Sequence, residues 1–547
     1  MLTAAPVCFP ILDPEHTSRA FLDAILENRF QFNGEVHRLA DAFDWTHNPS
    51  SDIEWLILLH KFYYAPGLGL AYQQTGDSRY LKKWMELTES WIDSAPLDFL
   101  TSDVAGRRIQ NWIFALHYFD DGRLPPAFRD KFVRSIEAQA TRLCGNLTPA
   151  RNHRTLELFA LLLTAVMFPE MDGASGWLAF CRREIPANLK ADLRPDGVHC
   201  EQSTDYHHIV LRNVLAARRL AKYNGVDMGP EFDERIRKAL EFSLHIHRPD
   251  GVIPSLSDGD NASFLPLLEL GYELYGDERY RYVASKGASG QAPSETNKAF
   301  HDGGYYILRS GWGANEAYGD ERYLVFDCGP LGEGNHGHLD LLSFEMYAYG
   351  RALVVDPGRY TYDESGDVNW RVLFRGTSHH NTVTVDGRNQ TRYEFHKRKF
   401  KIRGPEPEYR LTGFGGDFVS GMAASHEYDV VHHREIRLME GRYFVITDRL
   451  QSPSRHQYAL HFHLSAAAQG NTTIRHARGR ARIDSPHLVM ELQQKSGIRC
   501  SVEPGWVSQV YGTRQPAPIV KFVSEGANVE FTTLLYPYKD SRPEVLP

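Results

Sequence analysis

At 547 residues, with 42% apolar and 24% charged side chains, the chain exceeds one ordinary core and is too apolar to be disordered, so two domains are expected. A formal net charge of −8 argues against general nucleic-acid binding, although a local cationic cleft can still hold a polyanion. No run of about 18 apolar residues offers a membrane span. The six cysteines (Cys8, Cys144, Cys181, Cys200, Cys328 and Cys500) lack any CxxC pair, which excludes a disulfide framework and a thiolate zinc site.

The opening Met1-Leu-Thr-Ala-Ala-Pro-Val-Cys-Phe-Pro has no basic region and only a short, proline-broken apolar run, unlike a signal peptide. That reads as cytoplasmic, or as periplasmic or secreted if the N-terminus has been trimmed.

Residues 1–290 read as helix after helix. Ser51 or Asp52 can cap a helix carrying Trp55, Leu56, Leu58 and Leu59. Asp77 caps a clearer one, with Tyr80, Leu81, Trp84, Leu87, Trp91 and Ile92 at helical spacing. Leu70-Ala-Tyr72 through Gly76-Asp77-Ser-Arg79-Tyr80 recurs as Leu270-Gly-Tyr272 through Gly276-Asp277-Glu-Arg279-Tyr280, where Gly closes one helix and Asp caps the next. Arg194-Pro-Asp-Gly-Val198 is echoed by Arg248-Pro-Asp-Gly-Val252, a turn between helices. Such repeats suggest stacked αα hairpins.

Around residues 286–303 the texture changes, with Gly287, Ser289, Gly290, Pro293, Ser294, Gly303 and Gly304 marking a linker. Strand-like segments follow at Tyr305–Leu308, Tyr323–Phe326, Ser343–Tyr347, Leu353–Val355, Thr382–Val385, Glu435–Leu438, Tyr443–Ile446, Tyr458–Leu464 and Phe531–Leu535. Residues 291–547 therefore read as an antiparallel β-sandwich.

The densest chemistry lies in this second part: Gly334-Asn335-His336-Gly337-His338-Leu339-Asp340, then Val355-Asp356-Pro357-Gly358, then Ser378-His379-His380-Asn381-Thr382-Val383. In an extended segment, histidines two apart share a face. His338, Asp356 and His380 make a zinc-type donor set with a further position open. Among 25 histidines a lone His-x-His carries little weight. His379 is the alternative to His380; a strand beginning at His380 would put Thr382 and Thr384 on its face and favour His380.

Joined in order with Ser343-Phe344-Glu345, these motifs resemble the heparinase II/III-type polysaccharide lyases and their alginate-lyase relatives. Upstream, Asn152-His153 and Glu201-Gln-Ser-Thr-Asp205-Tyr206 match as well, so the resemblance spans roughly residues 140–390. It implies an N-terminal (α/α) toroid before the β-sandwich, and cleavage of a uronate-containing polysaccharide by β-elimination. It also supports one divalent metal, zinc first, held structurally by His338, Asp356 and His380. The partner is an anionic polysaccharide or oligosaccharide, with the oligomeric state left open.

Elimination removes the C5 proton of the uronate, so the site must neutralise a carboxylate, stabilise an enolate, and supply a base and an acid. Asn152 precedes an apolar run and reads as the opening of a helix. The resemblance assigns Asn152 to carboxylate neutralisation and His153 to a nearby contact or base. Tyr206 is the first choice for proton transfer. Its ordinary pKa near 10 requires nearby positive charge, from a helix start, His207, His336 or a metal, before it can act as a base.

His336 lines the cleft and, like His153, is an alternative base. Arg371, Arg375, Tyr360 and Tyr362 are the substrate-binding candidates. The run His396-Lys397-Arg398-Lys399-Phe-Lys401-Ile-Arg403 reads as a solvated strand face. A glycoside hydrolase on the same scaffold would need two carboxylates across the scissile bond, and no convincing pair stands out. A non-catalytic sugar binder has no need of Asn152, Tyr206 and His336 together.

Overall fold

In the computed structural model, residues 6–546 are described apart from 334, 397, 398, 478 and 494–496. Asp77 accepts from the Arg79 amide at 3.0 Å and caps the helix Ser78–Ser94, which buries Tyr80, Trp84, Leu87 and Trp91 along one stripe. Gly76 closes the preceding helix Tyr64–Thr75 at φ 69°; Gly276 at φ 69° and Asp277 repeat the arrangement between Leu265–Tyr275 and Glu278–Ala284. The second echo is equally close. Gly197 and Gly251 each donate to the carbonyl three residues back at 2.9 Å, and both hold positive φ. Asp52 caps Ile53–Lys61.

The chain divides into two compact units, Met1–Asp192 with Ile209–Ile236, and Leu193–His208 with Arg237–Pro547. The change from helix to strand falls between Ala284 and Lys298. Residues 237–284 nonetheless belong with the strands, because Tyr323 donates to the Ile246 carbonyl at 2.9 Å and Arg248 pairs with Glu345 at 2.6 Å.

The first unit is helical apart from a hairpin of Arg29–Phe32 and Glu35–Arg38. Its centre is aromatic: Trp91 meets Trp112 edge-on at 5.5 Å, and Trp84 stacks on Phe119 at 4.6 Å. No described helix is long and apolar enough to cross a membrane.

Among the described residues the second unit carries three antiparallel sheets, of ten, five and two strands. In the five-stranded one, Tyr305–Arg309, Tyr323–Asp327 and Phe344–Ala348 are buried along their whole length. Polar members of such strands need partners. Arg309 has Glu321 at 2.9 Å, and Glu345 has Arg248. In the ten-stranded sheet Phe418–Ala424 and Val431–Met439 alternate buried with part-exposed residues, as strands with one covered face do. Tyr306, Phe326 and Met346 of the five-stranded sheet share one core with Ile436, Phe444, Phe462 and Phe522 of the ten-stranded one.

Two expected strands, Tyr443–Ile446 and Tyr458–Leu464, are the ends of one strand, Tyr443–His463. Its polar middle mimics a loop, yet the strand pairs with Gln515–Pro537 on both sides of a register shift between Gln451 and His456. A ladder requires a neighbouring backbone, not burial. In the cationic run expected as a strand face, Lys397 and Arg398 lie outside the described residues.

Candidate active site and metal-ligand cluster

Asp258, absent from the sequence reading, is the hub of the second unit's site. It is fully buried and accepts from His336 Nδ1 at 2.8 Å, from His338 Nε2 at 2.9 Å, and from both terminal nitrogens of Arg371. Burial alone would raise its pKa, but Arg371 and the two imidazoles outweigh burial and hold it well below the usual carboxylate range. The loop is fixed from three directions. The Asp258 amide donates to the His336 carbonyl at 3.0 Å, Ser203 Oγ donates to the Asp258 carbonyl at 2.9 Å, and Thr204 Oγ1 donates to the Pro254 carbonyl at 2.6 Å. Ser257 beside it sits at φ 57°, a left-handed conformation that costs a non-glycine residue about 1 kcal/mol or more and gathers at functional sites.

Ser203 also accepts from the Tyr206 amide at 3.3 Å, so Tyr206 lies in the first turn of Thr204–Tyr223. Its ring stacks on His336 with centroids 3.7 Å apart, and its hydroxyl is 2.8 Å from that of Tyr362. Arg359 completes the chain: Nη1 donates to the Tyr362 oxygen at 2.7 Å, while Nε and Nη2 grip Asp260 at 3.1 and 2.7 Å. Arginine only donates, so Tyr362 accepts from Arg359 and has its own proton to offer Tyr206, an arrangement that leaves the Tyr206 proton available; between the two hydroxyls either can be the donor. Burial pushes the Tyr206 hydroxyl above its ordinary range, with Arg359 opposing and Asp258 reinforcing the shift, so it is a neutral phenol at rest.

His336 is poised the other way. A carboxylate only accepts, so Nδ1 carries the proton and Nε2 the lone pair. Of the expected sources of positive charge near Tyr206, His207 supplies none. It is buried against the Ala239 carbonyl at 3.1 Å, and burial lowers its pKa to about 3. Arg359 supplies that charge instead.

His338 shares Asp258. Donation through Nε2 leaves Nδ1 with the lone pair and without a hydrogen-bond partner among the described residues. The ligand atoms of His338, Asp356 and His380 lie within 4.8 Å of one another, all buried. His380 Nδ1 meets Asp356 Oδ2 at 2.8 Å, and its Nε2 is likewise unpartnered. Burial holds His338 neutral at about 3, which suits a ligand. Two imidazoles, a carboxylate and unfilled lone pairs fit a divalent ion such as zinc.

His379 is outside this set, its ring packed against Phe374 at 5.5 Å and His463 at 5.9 Å. The strand here begins at Val383, not at His380. His380 is instead placed by Asn381, whose amide donates to Ser343 Oγ at 3.0 Å and whose side chain donates to the Phe344 and Val355 carbonyls. Gly337 between the histidines is required, since a Cβ there would lie 1.6 Å from the Leu331 carbonyl oxygen.

Of the expected substrate contacts, Tyr362 joins the site and Tyr360 packs between Trp370 and Phe374 at φ 56°. Arg371 and Arg375 are each 1% exposed. They hold the histidine loop, Arg371 through Asp258 and the Asn335 carbonyl at 2.8 Å, Arg375 through the Gly337 carbonyl at 3.1 Å. Two cations this deeply buried position the site rather than meet a polyanion directly.

Asn152 and His153 belong to the helical unit. Ala150 occupies the N-cap of Arg151–Met167 without a side-chain bond, so Asn152 is inside the first turn rather than the cap; it is buried, and His153 is exposed. The sequence reading missed Asp258, Asp260 and Arg359. A Ser-Asp-Gly-Asp turn looks like any other acidic turn, and Arg359 follows a Pro-Gly pair that explains itself as a bend.

Two family descriptions match: heparinase II/III N-terminus over residues 13–276, and heparinase II/III-like, C-terminal, over 292–539. The chain belongs to the heparinase II/III-like polysaccharide lyase family. It is 24% identical to a heparin-sulfate lyase of Pedobacter heparinus, covering 97% of this chain and 82% of that one. A heparin-sulfate lyase of Bacteroides stercoris is 23% identical over 92% and 78%. A crystal structure of heparinase III superposes with a TM-score of 0.81 at 20% identity, over 99% of this chain and 87% of that one. The fold is thus an N-terminal (α/α) toroid of helical hairpins followed by a C-terminal antiparallel β-sandwich.

Proposed function

We propose that this polysaccharide lyase cleaves a uronate-containing polysaccharide of the heparan sulfate class by β-elimination, leaving an unsaturated uronate end. The substrate class follows the names of its curated relatives. The observation that carries the chemistry is the stacked Tyr206–His336 pair, with a proton on one partner and a lone pair on the other. His336 Nε2 takes the C5 proton, the C4–C5 double bond forms, the C4–O bond breaks, and Tyr206 gives its proton to the leaving oxygen. The Tyr362–Arg359 chain stabilises the phenolate that results. If the proton and the leaving oxygen lie on one sugar face, both transfers fall to Tyr206, which must first lose its hydroxyl proton, take the C5 proton as the phenolate, and then return it to the leaving oxygen. Asn152 retains the carboxylate-neutralising role that the resemblance gives it.

A divalent ion on His338, Asp356 and His380 would supply a cross-link between three loops, since elimination requires no water nucleophile. Asp258 holds the imidazoles of His336 and His338 together, so the order of one supports the order of the other.

The test is ultraviolet absorbance of the new double bond, followed across heparan sulfate, heparin, chondroitin sulfate, hyaluronan and alginate. Heparan sulfate is expected to give the fastest rise. New reducing ends without absorbance would mean hydrolysis, and a faster rise on alginate or chondroitin sulfate would replace the substrate class.

A further inference from the structure

The helical unit contains a buried guanidinium outside the motifs quoted from the sequence, that of Arg108. Arg108, on the helix Ser102–Phe119, is 3% exposed, and among the described residues no carboxylate pairs with it. Its Nε donates to Gln139 Oε1 at 2.8 Å, and its guanidinium lies 3.8 Å from the centroid of Trp91. The two titratable side chains that interact electrostatically with it, His60 and Tyr64, are neutral. Burial, then Arg108 itself, lowers His60 to about 4, and burial raises Tyr64 well above its ordinary range. Taking a charge from water without a counter-charge is costly, and burial drags Arg108 down to about 9.

Arg108 lines a cavity of about 210 Å³. Arg142 lines it too, its side chain 43% exposed, and its ion pair among the described residues is with the exposed Asp98 at 3.9 Å. Gln139 and Asn146 add amides, while Leu97 and Leu143 give it an apolar side. The carboxylate beyond Ser102, Glu157, is already engaged by the hydroxyls of Ser102 at 2.6 Å and Thr148 at 2.7 Å and by the Thr148 amide at 2.7 Å. Two guanidiniums on one cavity, one of them buried without a counter-ion, are a receptor for negative charge. The volume falls below the roughly 300–1,000 Å³ of drug-sized pockets, so the ligand is small.

We propose that this cavity is an anion site, sharing no residue with the Tyr206 cluster, which takes one carboxylate or sulfate group on a molecule no larger than a monosaccharide. Its occupant supplies the counter-charge that the described residues do not.

Equilibrium dialysis of the full-length enzyme with labelled sulfate and, separately, with labelled glucuronate at fixed ionic strength tests it. Wild type should bind at least one probe saturably, and Tyr206→Phe and His336→Ala should bind equally well. Arg142→Ala and Arg108→Gln should each weaken binding at least tenfold. Arg142 is part-exposed, so its variant preserves the test if Arg108→Gln fails to fold. Tighter glucuronate than sulfate assigns the site to a sugar acid; the reverse assigns it to an inorganic or ester sulfate. No saturable binding of either probe below about 10 mM, or binding unchanged in both arginine variants, overturns the proposal.

Discussion

Arg371 in the second unit and Arg108 in the helical unit are both nearly sealed from solvent, yet their surroundings are opposite. Arg371 faces Asp258 through two nitrogens, and the same carboxylate orders His336 and His338. Arg108 rests on an indole and one amide oxygen and lines an open cavity. The first charge is compensated by the chain itself, so its energy goes into rigid placement of reactive groups. The second is left for something outside the chain. Burial of arginine therefore does not identify a role; the counter-charge does.

The largest expected effect tests the compensated cluster at its reactive end. Tyr206→Phe removes one hydroxyl and should lower kcat at least ~100-fold while leaving KM within a few-fold, because general acid–base catalysis acts in turnover. Wild-type-like turnover on a cleaved polysaccharide would make Tyr206 structural and move the acid elsewhere.

Asp258→Asn addresses the difference between the two arginines directly. It strands Arg371 without a counter-ion and should cost about 3–5 kcal/mol in urea unfolding, the penalty for breaking a buried pair. Arg108→Met should carry no such penalty, since it leaves no carboxylate behind. Equal losses in the two variants would erase the distinction.

For the metal cluster, purified protein should contain close to one equivalent of zinc after zinc is supplied, by elemental analysis. His338→Ala should lose that metal and melt below the zinc-loaded wild type. An unchanged melting temperature would remove the structural role.

The smallest effect is a pH dependence that the two units share. His60 accepts the Trp91 indole N–H at Nδ1, and His247 accepts the Phe264 amide at Nε2, so both must be neutral in the folded chain. Burial lowers both to about 4. The unfolded chain binds these protons from about 6.5 downwards, so the stability is full above that pH and is lost as pH falls from about 6.5 to 4. Urea midpoints should begin to drop at pH 6, above the carboxylate range. A midpoint flat from pH 7 to 5 would contradict this.

Much of the helical part was legible because its signals are local. Asp77 and Asp277 cap the adjacent turn, and Gly76 and Gly276 close the previous one, whatever surrounds them. The strands were legible where apolar runs mark them, as at Tyr323–Asp327, and hidden where polar residues pair at a sheet surface, as at Glu408–Gly415 or the middle of Tyr443–His463.

By itself the sequence determined the order of helical and β parts, the family motifs, and a short set of residues that included Tyr206, His336, His338, Asp356 and His380. Only the tertiary structure decided that Asp258 joins His336 to His338, that Arg359 rather than His207 supplies charge near Tyr206, and that Arg371 and Arg375 are buried supports. The reason is physical. A motif records residues close in sequence, whereas the charge balance of a buried site is set by side chains 78, 80 and 113 positions away from Asp258. No local pattern in the chain marks which acid those groups will meet.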